Sequence, residues 1–124
     1  MGGGPAGIAA GIQLRRYGKQ VFLLEKESIG GLLKNANRIE NYPGFPDGLT
    51  GQEFIAKLQL HVDRVGLQVR NSAVLSVCFK DKVFAVRTES GEHFTCEKLI
   101  AASGTAPNEF PWQTCKALPQ GKVF

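Results

Sequence analysis

The sequence predicts an α/β fold in which a parallel sheet is joined to a three-stranded antiparallel meander. Three observations lead to this prediction. A glycine-rich stretch at 2–7 precedes a run of small and apolar residues that can form a helix, and a wholly apolar strand then ends in the acidic Glu25. From Val74 onward the apolar residues recur with period two, the period of a β-strand.

The glycine-rich stretch has the form of a phosphate-binding turn. Gly2, Gly4 and Gly7 satisfy the pattern G-x-G-x-x-G. One glycine makes the tight turn, one lets the backbone approach a pyrophosphate, and one lets helix and strand pack closely. The N-terminus of the following helix would offer its free N–H groups and the positive end of its dipole to the phosphates. Glu25 stands about where a carboxylate that binds a ribose hydroxyl is expected.

A disordered leader is the alternative interpretation, because glycines also cluster in flexible tails. The order of the parts favours nucleotide binding: the glycine turn, a helix, Gly18 as its stop, an apolar strand and an acid follow one another. The fingerprint normally follows a buried strand, and only Met1 precedes Gly2 here. We therefore expect the sequence to begin inside the motif, with the first strand missing.

The first half of the chain predicts a helix and a buried strand. Pro5 suits a helix start, and Gly18 suits its end. The strand over 20–25 shows no alternation of apolar and polar residues, as expected when helices cover both of its faces.

Two loops are predicted next. Residues 26–37 contain Gly30-Gly31 and little periodicity. The segment 39–48 is rich in turn formers and aromatic residues, and its two prolines fix the backbone near Asn41. Such a rigid loop suits either plain surface packing or the wall of a ligand site.

A second helix is predicted from a capping box. Thr50 and Glu53 form T-x-x-E, and Gly66 marks the end of the helix. One face of this helix is apolar. Its residues are Phe54, Ile55, Leu58, Val62 and Val65.

The second half of the chain predicts strands. A short strand at 67–70 precedes a meander whose turns lie at 80–81 and 90–91. The strands of the meander are predicted at 74–79, 83–88 and 93–96. A further apolar strand from Lys98 ends in the small residues Ala102-Ser103-Gly104, which leave room for a ligand at its carboxyl end.

Composition excludes several function classes. The net charge is +4, but the basic residues are dispersed and not interleaved with aromatic residues, so nucleic-acid binding is not indicated. Neither a membrane span nor a secretion signal is visible, and a cytoplasmic protein is the default expectation. The three cysteines form no C-x-x-C, and His61 and His93 have no metal-ligand spacing, so we predict no metal site.

These residues resemble the FAD-binding half of the thioredoxin-reductase-like pyridine nucleotide–disulfide oxidoreductases, a family of class II flavoproteins. The resemblance spans nearly the whole chain in the family's order. It rests on Gly2–Gly7, the E-x-x-x-x-G-G stretch at 25–31, E-N-Y-P-G-F-P at 40–46, and Ala102-Ser103-Gly104. The E-N-Y-P-G-F-P segment is the most specific part, because general dinucleotide folds lack it.

The resemblance implies a Rossmann-like FAD-binding domain and assigns roles to individual residues. Gly3 to Ala6 would cradle the FAD pyrophosphate, Glu25 would hold the adenosine ribose, and Asn41 would face the flavin. Val74 would line the adenine pocket through its backbone. The cofactor-binding residues implied are Gly2, Gly3, Gly4, Pro5, Ala6, Gly7, Glu25, Lys26, Gly31, Leu32, Asn41, Val74, Ala102, Ser103 and Gly104.

Departures from the family's pattern limit the function that the resemblance implies. Leu32 stands where thioredoxin reductases often have Gln, and Ser103 replaces Thr in the A-T-G turn. The NAD(P)H-binding domain, its C-A-x-C centre and the C-terminal G-D segment have no counterpart in this sequence. We expect a partial FAD-binding domain at 1–104, truncated at both ends, and a connector at 105–124 toward an absent NAD(P)H-binding domain.

Two functions follow as hypotheses. In the first, the chain is the FAD-binding portion of an NAD(P)H-dependent oxidoreductase that passes electrons to an acceptor; the chain alone would be inactive and contributes no catalytic residue. In the second, it is a non-catalytic module that binds FAD or NAD. The parent protein would bind a nicotinamide cofactor and an electron acceptor, and the first hypothesis also allows a homodimer.

The missing strand has a structural consequence under this resemblance. In the family that strand lies in the middle of the parallel sheet, so the strands at Val21 and Leu99 would have unpaired edges. Each buried unpaired backbone group costs roughly 1–3 kcal/mol. We therefore expect a piece of a longer flavoprotein, or another segment or subunit that supplies the strand; cooperative unfolding of monomeric 1–124 would refute this expectation.

Overall fold

The computed structural model describes residues 1–105. In chain order, its elements are α1 (Pro5–Arg16), β1 (Phe22–Glu25), a 3₁₀ helix (Gly31–Asn35), α2 (Gly51–Val65), β2 (Gln68–Asn71), β3 (Val74–Lys80), β4 (Val83–Thr88) and β5 (His93–Cys96). The predicted connector from 106 onward, including Trp112 and Cys115, lies outside the described residues.

The predicted fold class is confirmed. β1 and β2 pair in parallel, with Phe22 opposite Gln68 and Glu25 opposite Asn71. Parallel strands need a crossover connection, and α2 supplies it here. β3, β4 and β5 form the antiparallel meander as a separate three-stranded sheet.

The core lies between the two helices and the parallel strands. Its members are apolar residues that the sequence spaces at helical or strand positions, so each element contributes one buried face. The buried cluster consists of Ile8, Ile12, Leu23, Ile29, Val62 and Leu67. Ile8 has no exposed surface and Val62 only 2%, so α1 and α2 each contribute an almost fully buried side chain to this cluster.

The ends of both helices follow local sequence signals. Gly18 adopts the left-handed conformation at φ 70°, and its N–H donates to Arg15 O at 2.9 Å after α1. At the start of α2 the predicted capping box is present: Thr50 Oγ1 accepts from Glu53 N, and the Glu53 carboxylate accepts from Thr50 N at 2.7 Å. Gly66 ends α2 at φ 63°.

The meander agrees with prediction except at its first turn. That turn lies at 81–82, one residue later than predicted, because β3 continues to Lys80. Asp81 and Lys82 both have positive φ, at 51° and 65°, which is the backbone form of a tight two-residue hairpin turn. Cys78 and Cys96 on β3 and β5 are half-buried.

Two sequence predictions are wrong in detail. The predicted loop at 26–37 contains the 3₁₀ helix, whose N-terminal Gly30 and first residue Gly31 both have positive φ. The predicted strand from Lys98 is not a strand in the described structure, although its backbone is bonded to Met1. A strand requires a continuous ladder of partners, and the hydrogen bonds found for this segment all go to Met1.

Met1 and Gly2 occupy a position between β1 and the segment 100–102. The Met1 nitrogen donates to Ile100 O at 2.6 Å, and Ala102 N donates to Met1 O at 2.8 Å. On the other side, Gly2 N donates to Leu24 O at 2.8 Å. A mostly apolar groove of about 190 Å³ lies beside these residues. Its walls include Phe22, Leu23, Leu99 and Ile100.

Two further findings concern residues 1–105 alone. No helix among them has the length and apolar character needed to cross a membrane. Their His, Cys, Asp and Glu side chains form no group of three that could hold a metal ion.

Replacing the capping threonine tests how much the Thr50–Glu53 capping box stabilises the N-terminus of α2. Thr50→Ala is expected to lower the free energy of unfolding by about 1 kcal/mol, because Glu53 N loses its acceptor. Urea titration followed by circular dichroism measures the loss. Gln52→Ala, at an exposed position in the same helical turn, is the matched control and should change stability far less.

The same box predicts a pH dependence. The backbone hydrogen bond from Thr50, and then its hydroxyl, lower the pKa of Glu53 below its ordinary value. A depressed pKa stabilises the folded state at neutral pH, and this contribution is lost as the pH falls through the Glu53 pKa. Stability curves of the wild type and Glu53→Gln should therefore converge on acidification; a constant separation down to low pH would contradict the assignment.

Candidate nucleotide-binding site

The glycine turn is held in place by hydrogen bonds from three directions. Gly2 N donates to the carbonyl of Leu24 at 2.8 Å. Gly3 N donates to Oε2 of Glu25 at 2.5 Å, and the Gly3 carbonyl accepts from Gly30 N at 2.8 Å. The turn is therefore hydrogen-bonded to the end of β1 on one side and to Gly30 on the other.

The three fingerprint glycines meet different surroundings. A Cβ on Gly7 would lie 1.8 Å from the Gly2 carbonyl oxygen, so only glycine allows the helix to approach the turn this closely. Gly2 itself has φ 99°, and a Cβ there would lie 2.2 Å from Ala102 O. A Cβ on Gly4 would meet nothing within 4 Å. Gly2 and Gly7 thus serve backbone packing, whereas Gly4 borders open space.

The first turn of α1 keeps hydrogen-bond donors that the described structure does not use. Its N-cap Gly4 has no side chain to accept from them, and no acidic residue lies in the first turn. Pro5 has no N–H, and the bond from Ile8 N to Gly4 O begins the helical ladder. Among residues 1–105, no hydrogen-bond partner is found for the N–H groups of Gly4, Ala6 and Gly7. Such a helix start favours an anion.

Glu25 lies beside the turn, as the sequence predicted. β1 ends at this residue, and its carbonyl accepts from Ser72 N at 2.8 Å, which ties the strand to the end of β2. Its second carboxylate oxygen, Oε1, accepts from Glu27 N at 2.9 Å. The carboxylate is therefore fixed at the carboxyl edge of the parallel sheet, next to the glycine turn that precedes α1.

The Gly30-Gly31 corner forms another side of the site. A Cβ on Gly31 would lie 3.2 Å from the Gly4 Cα, which places these two residues against each other. Leu32, the next residue, is 64% exposed. Lys26 is exposed and lies 3.8 Å from Glu27 Oε1, so its ammonium pairs with that carboxylate.

The segment 102–104 and Val74 have different relations to the turn. Ala102 and Ser103 pack against Gly2, and the side chain of Ala102 also approaches Gly7. Gly104 follows with φ 74° and open space around it. Val74 is half-buried at the start of β3, two residues beyond the Ser72 that bonds to Glu25.

Asn41 is exposed on a loop of its own. Ile39 and Leu49 exchange backbone hydrogen bonds of 2.8 and 3.0 Å that close this loop. Tyr42 and Phe45 pack their rings on Phe54 of α2, with centroid distances of 4.4 and 5.6 Å. Within residues 1–105, no hydrogen bond or ring contact joins Asn41 to the glycine turn.

The loop and the turn are linked through the 3₁₀ helix. Gly51 N donates to Ala36 O at 3.0 Å, and a Cβ on Gly51 would lie 1.9 Å from Leu33 O. The chain therefore runs from Gly31, which lies against Gly4, through the 3₁₀ helix to the Asn41 loop and then to the start of α2. The structure brings together the turn, Glu25, Gly31 and Ala102-Ser103. Asn41 lies on the separate loop closed by Ile39 and Leu49 and has no hydrogen bond to the turn within residues 1–105.

Sequence reasoning missed Gly30. It named Gly31 alone from the glycine pair, yet Gly30 has φ 115° and donates the hydrogen bond that fixes the Gly3 carbonyl. A Cβ on Gly30 would also lie 2.7 Å from the Ile55 side chain. The doublet itself was the available signal, because adjacent glycines mark a backbone that needs positive φ.

Comparisons with known proteins agree on one family. The model of the pyridine nucleotide-disulphide oxidoreductase family matches residues 1–122. Thioredoxin reductase of Helicobacter pylori is 36% identical over 108 residues, which are 86% of this chain and 35% of the relative. NADPH-dependent thioredoxin reductase 3 of Arabidopsis thaliana is 32% identical over 84% of this chain and 20% of its own length.

Solved structures give the same result. A ferredoxin-flavin thioredoxin reductase from Clostridium acetobutylicum superposes with a TM-score of 0.80 at 29% identity, covering 87% of this chain and 37% of its own. Lactococcus lactis thioredoxin reductase gives 0.72 at 28% identity, covering 77% of this chain and 31% of its own. The chain thus spans about a third of the length of the first curated relatives it matches.

The surroundings of Gly7 and Gly4 predict opposite consequences for stability. Gly7→Ala is expected to cost at least about 2 kcal/mol, because its methyl group would overlap the Gly2 carbonyl and force the backbone to move. Gly4→Ala should cost less than about 1 kcal/mol, since its position is open and its φ is −73°. Chemical denaturation of both variants checks this; equal losses would contradict the close approach at Gly7.

Proposed function

The chain belongs to the pyridine nucleotide-disulphide oxidoreductase family, and from that premise we propose that residues 1–104 form the FAD-binding portion of an NAD(P)H-dependent flavoprotein oxidoreductase. One observation supports the proposal most: three N–H groups at the start of α1 have no hydrogen-bond partner within residues 1–105, and they follow Gly3, which binds the carboxylate of Glu25. A diphosphate and an adjoining ribose require these two kinds of group side by side.

The residues present fit FAD at its diphosphate. The N–H groups of Gly4, Ala6 and Gly7 would donate to the phosphate oxygens, and the positive end of α1 would offset the phosphate charge. The open space at Gly4 admits a close approach to the backbone. Gly3 and Pro5 would shape the turn without donating, because Gly3 N is bonded to Glu25 and Pro5 has no N–H.

The remaining contacts are assigned by position. Glu25 would accept from the adenosine ribose, and Val74 would border the adenine through its backbone. Gly31, Leu32 and Ala102 to Gly104 would lie along the cofactor beyond the diphosphate. Asn41 would face the flavin from a loop that the Tyr42, Phe45 and Phe54 rings hold against α2.

The flavin would supply the redox chemistry, accepting hydride equivalents from NAD(P)H and passing electrons to an acceptor. This chain's share is to bind and orient the cofactor; we assign no catalytic acid, base or nucleophile to it. The nicotinamide cofactor and the acceptor would be bound by parts of the parent protein that this sequence lacks. The sequence of this chain contains no C-x-x-C motif.

Absorption spectroscopy of the chain after reconstitution with FAD tests the proposal. Bound FAD should show the bands of oxidised flavin and remain with the protein through gel filtration. Addition of NADPH to the isolated chain should leave these bands in place, and bleaching is expected only with the parent protein. A parent protein that binds FAD but never bleaches would select the non-catalytic module, and a parent protein that does not bind FAD would reject the proposal.

A substitution at Gly4 tests the location of the site. Gly4→Val should weaken FAD binding at least about tenfold, because the side chain would enter the open space at the helix start while the fold is kept. Isothermal titration calorimetry measures the affinity. The matched control is Ala9→Val, at an exposed position one turn further along α1, and it should bind FAD as the wild type does. Equal affinity of Gly4→Val and the wild type would place the diphosphate elsewhere.

A further inference from the structure

The carboxylate of Glu25 is engaged with the protein backbone at both oxygens. Oε2 accepts from Gly3 N at 2.5 Å, and Oε1 accepts from Glu27 N at 2.9 Å. A Cβ on Gly3 would lie 2.9 Å from both Cγ and Oε2 of Glu25, so the side chain packs directly on the glycine turn. Gly3 is buried, and its N–H is not on the open surface of the turn.

This contact fixes one of the two peptide planes that precede the donors of α1. Glu25 sets the peptide plane between Gly2 and Gly3, and the bond from Gly30 N to Gly3 O sets the next plane. In a planar trans peptide the C=O and the following N–H point in opposite directions. Because Gly30 holds the Gly3 carbonyl, the Gly4 N–H must point away from Gly30.

We infer that Glu25 is a positioning residue for the phosphate-binding turn: its carboxylate holds Gly3, and thereby keeps the N–H groups of Gly4, Ala6 and Gly7 arranged for a diphosphate. The inference rests on the proposed function and goes beyond the ribose contact proposed there for the same side chain. It also assigns the turn two kinds of donor, Gly3 for the carboxylate and the others for the phosphates.

Three roles of Glu25 give different results with a ligand that lacks ribose hydroxyls, and 2′,3′-dideoxy-ADP is such a ligand. If Glu25 acts only on the ribose, substitutions at this position leave the affinity for 2′,3′-dideoxy-ADP unchanged. If Glu25 acts only as a negative charge near the phosphates, removal of the charge tightens binding. If Glu25 positions the turn, affinity follows the ability of the side chain to reach Gly3 N and not its charge.

Two variants separate reach from charge. Glu25→Gln keeps an acceptor oxygen for Gly3 N at the same reach without the charge, and its amide nitrogen no longer accepts from Glu27 N. Glu25→Asp keeps the charge and is shorter by one methylene. We expect Glu25→Asp to bind 2′,3′-dideoxy-ADP about fivefold more weakly and Glu25→Gln to stay within about twofold of the wild type. The control is Glu27→Gln, because the Glu27 side chain pairs with Lys34. This variant should bind 2′,3′-dideoxy-ADP with the affinity of the wild type. Unchanged binding by Glu25→Asp, or markedly tighter binding by Glu25→Gln, would overturn the inference.

A second readout needs no ligand. In the full chain without nucleotide, the Gly3 amide proton should exchange slowly in the wild type and in Glu25→Gln, and several-fold faster in Glu25→Asp. NMR hydrogen exchange measures this at a single residue, and the methyl spectrum confirms that each variant is folded. Equal exchange in all three proteins would overturn the inference. Failure of the parent protein to bind FAD would instead reject the proposed function, whatever the exchange rates show.

Discussion

The hydrogen bonds around Gly3 are the constraint on which the rest of the structure depends. Gly3 N donates to the carboxylate at the end of β1, and Gly3 O accepts from the Gly30 corner that precedes the 3₁₀ helix. These two bonds join segments that are 22 and 27 residues apart in the chain. Together with the bond from Gly2 N to Leu24 O, they fix the start of α1 relative to the sheet edge and to the segment that leads to α2.

The two hydrogen bonds of Gly3 bring backbone segments into close contact with one another. Gly7 lies over the Gly2 carbonyl, Gly31 lies against Gly4, and Gly51 lies against the Leu33 carbonyl. Glycine at these places removes the side chain that would separate the segments. The result is a compact corner in which Gly4 borders open space and the N–H groups of α1 that have no partner within residues 1–105. The chain belongs to the pyridine nucleotide-disulphide oxidoreductase family and is similar to thioredoxin reductases over most of its own length.

The features that were predictable from sequence are those decided by neighbouring residues. The Thr50–Glu53 box, the ends of both helices and the strands of the meander depend on residues within a few positions of one another. The position of Glu25 was predictable because the spacing from the glycine turn is set by one helix and one strand. Asn41 was named through resemblance, and the described contacts leave its relation to the turn a prediction.

The features that sequence reasoning missed depend on contacts between distant segments. Gly30 matters because of Gly3, and no pattern within 26–37 reveals that bond or the 3₁₀ helix that follows it. The segment from Lys98 has the apolar composition of a strand, but a strand exists only where partners form a ladder, and here its partner is Met1. The apolar composition of a segment therefore does not by itself predict that its backbone pairs with a neighbouring strand.

Comparison of ADP and FAD by NMR chemical-shift mapping tests the central claim most directly. ADP should shift the backbone amides of Gly4, Ala6 and Gly7 and leave the side-chain amide of Asn41 unchanged. FAD should shift the same backbone amides and, in addition, the Asn41 side chain, because only FAD carries the flavin. Shifts confined to the exposed Lys57, His61 and Arg64 face of α2, with the glycine turn unaffected, would contradict the account.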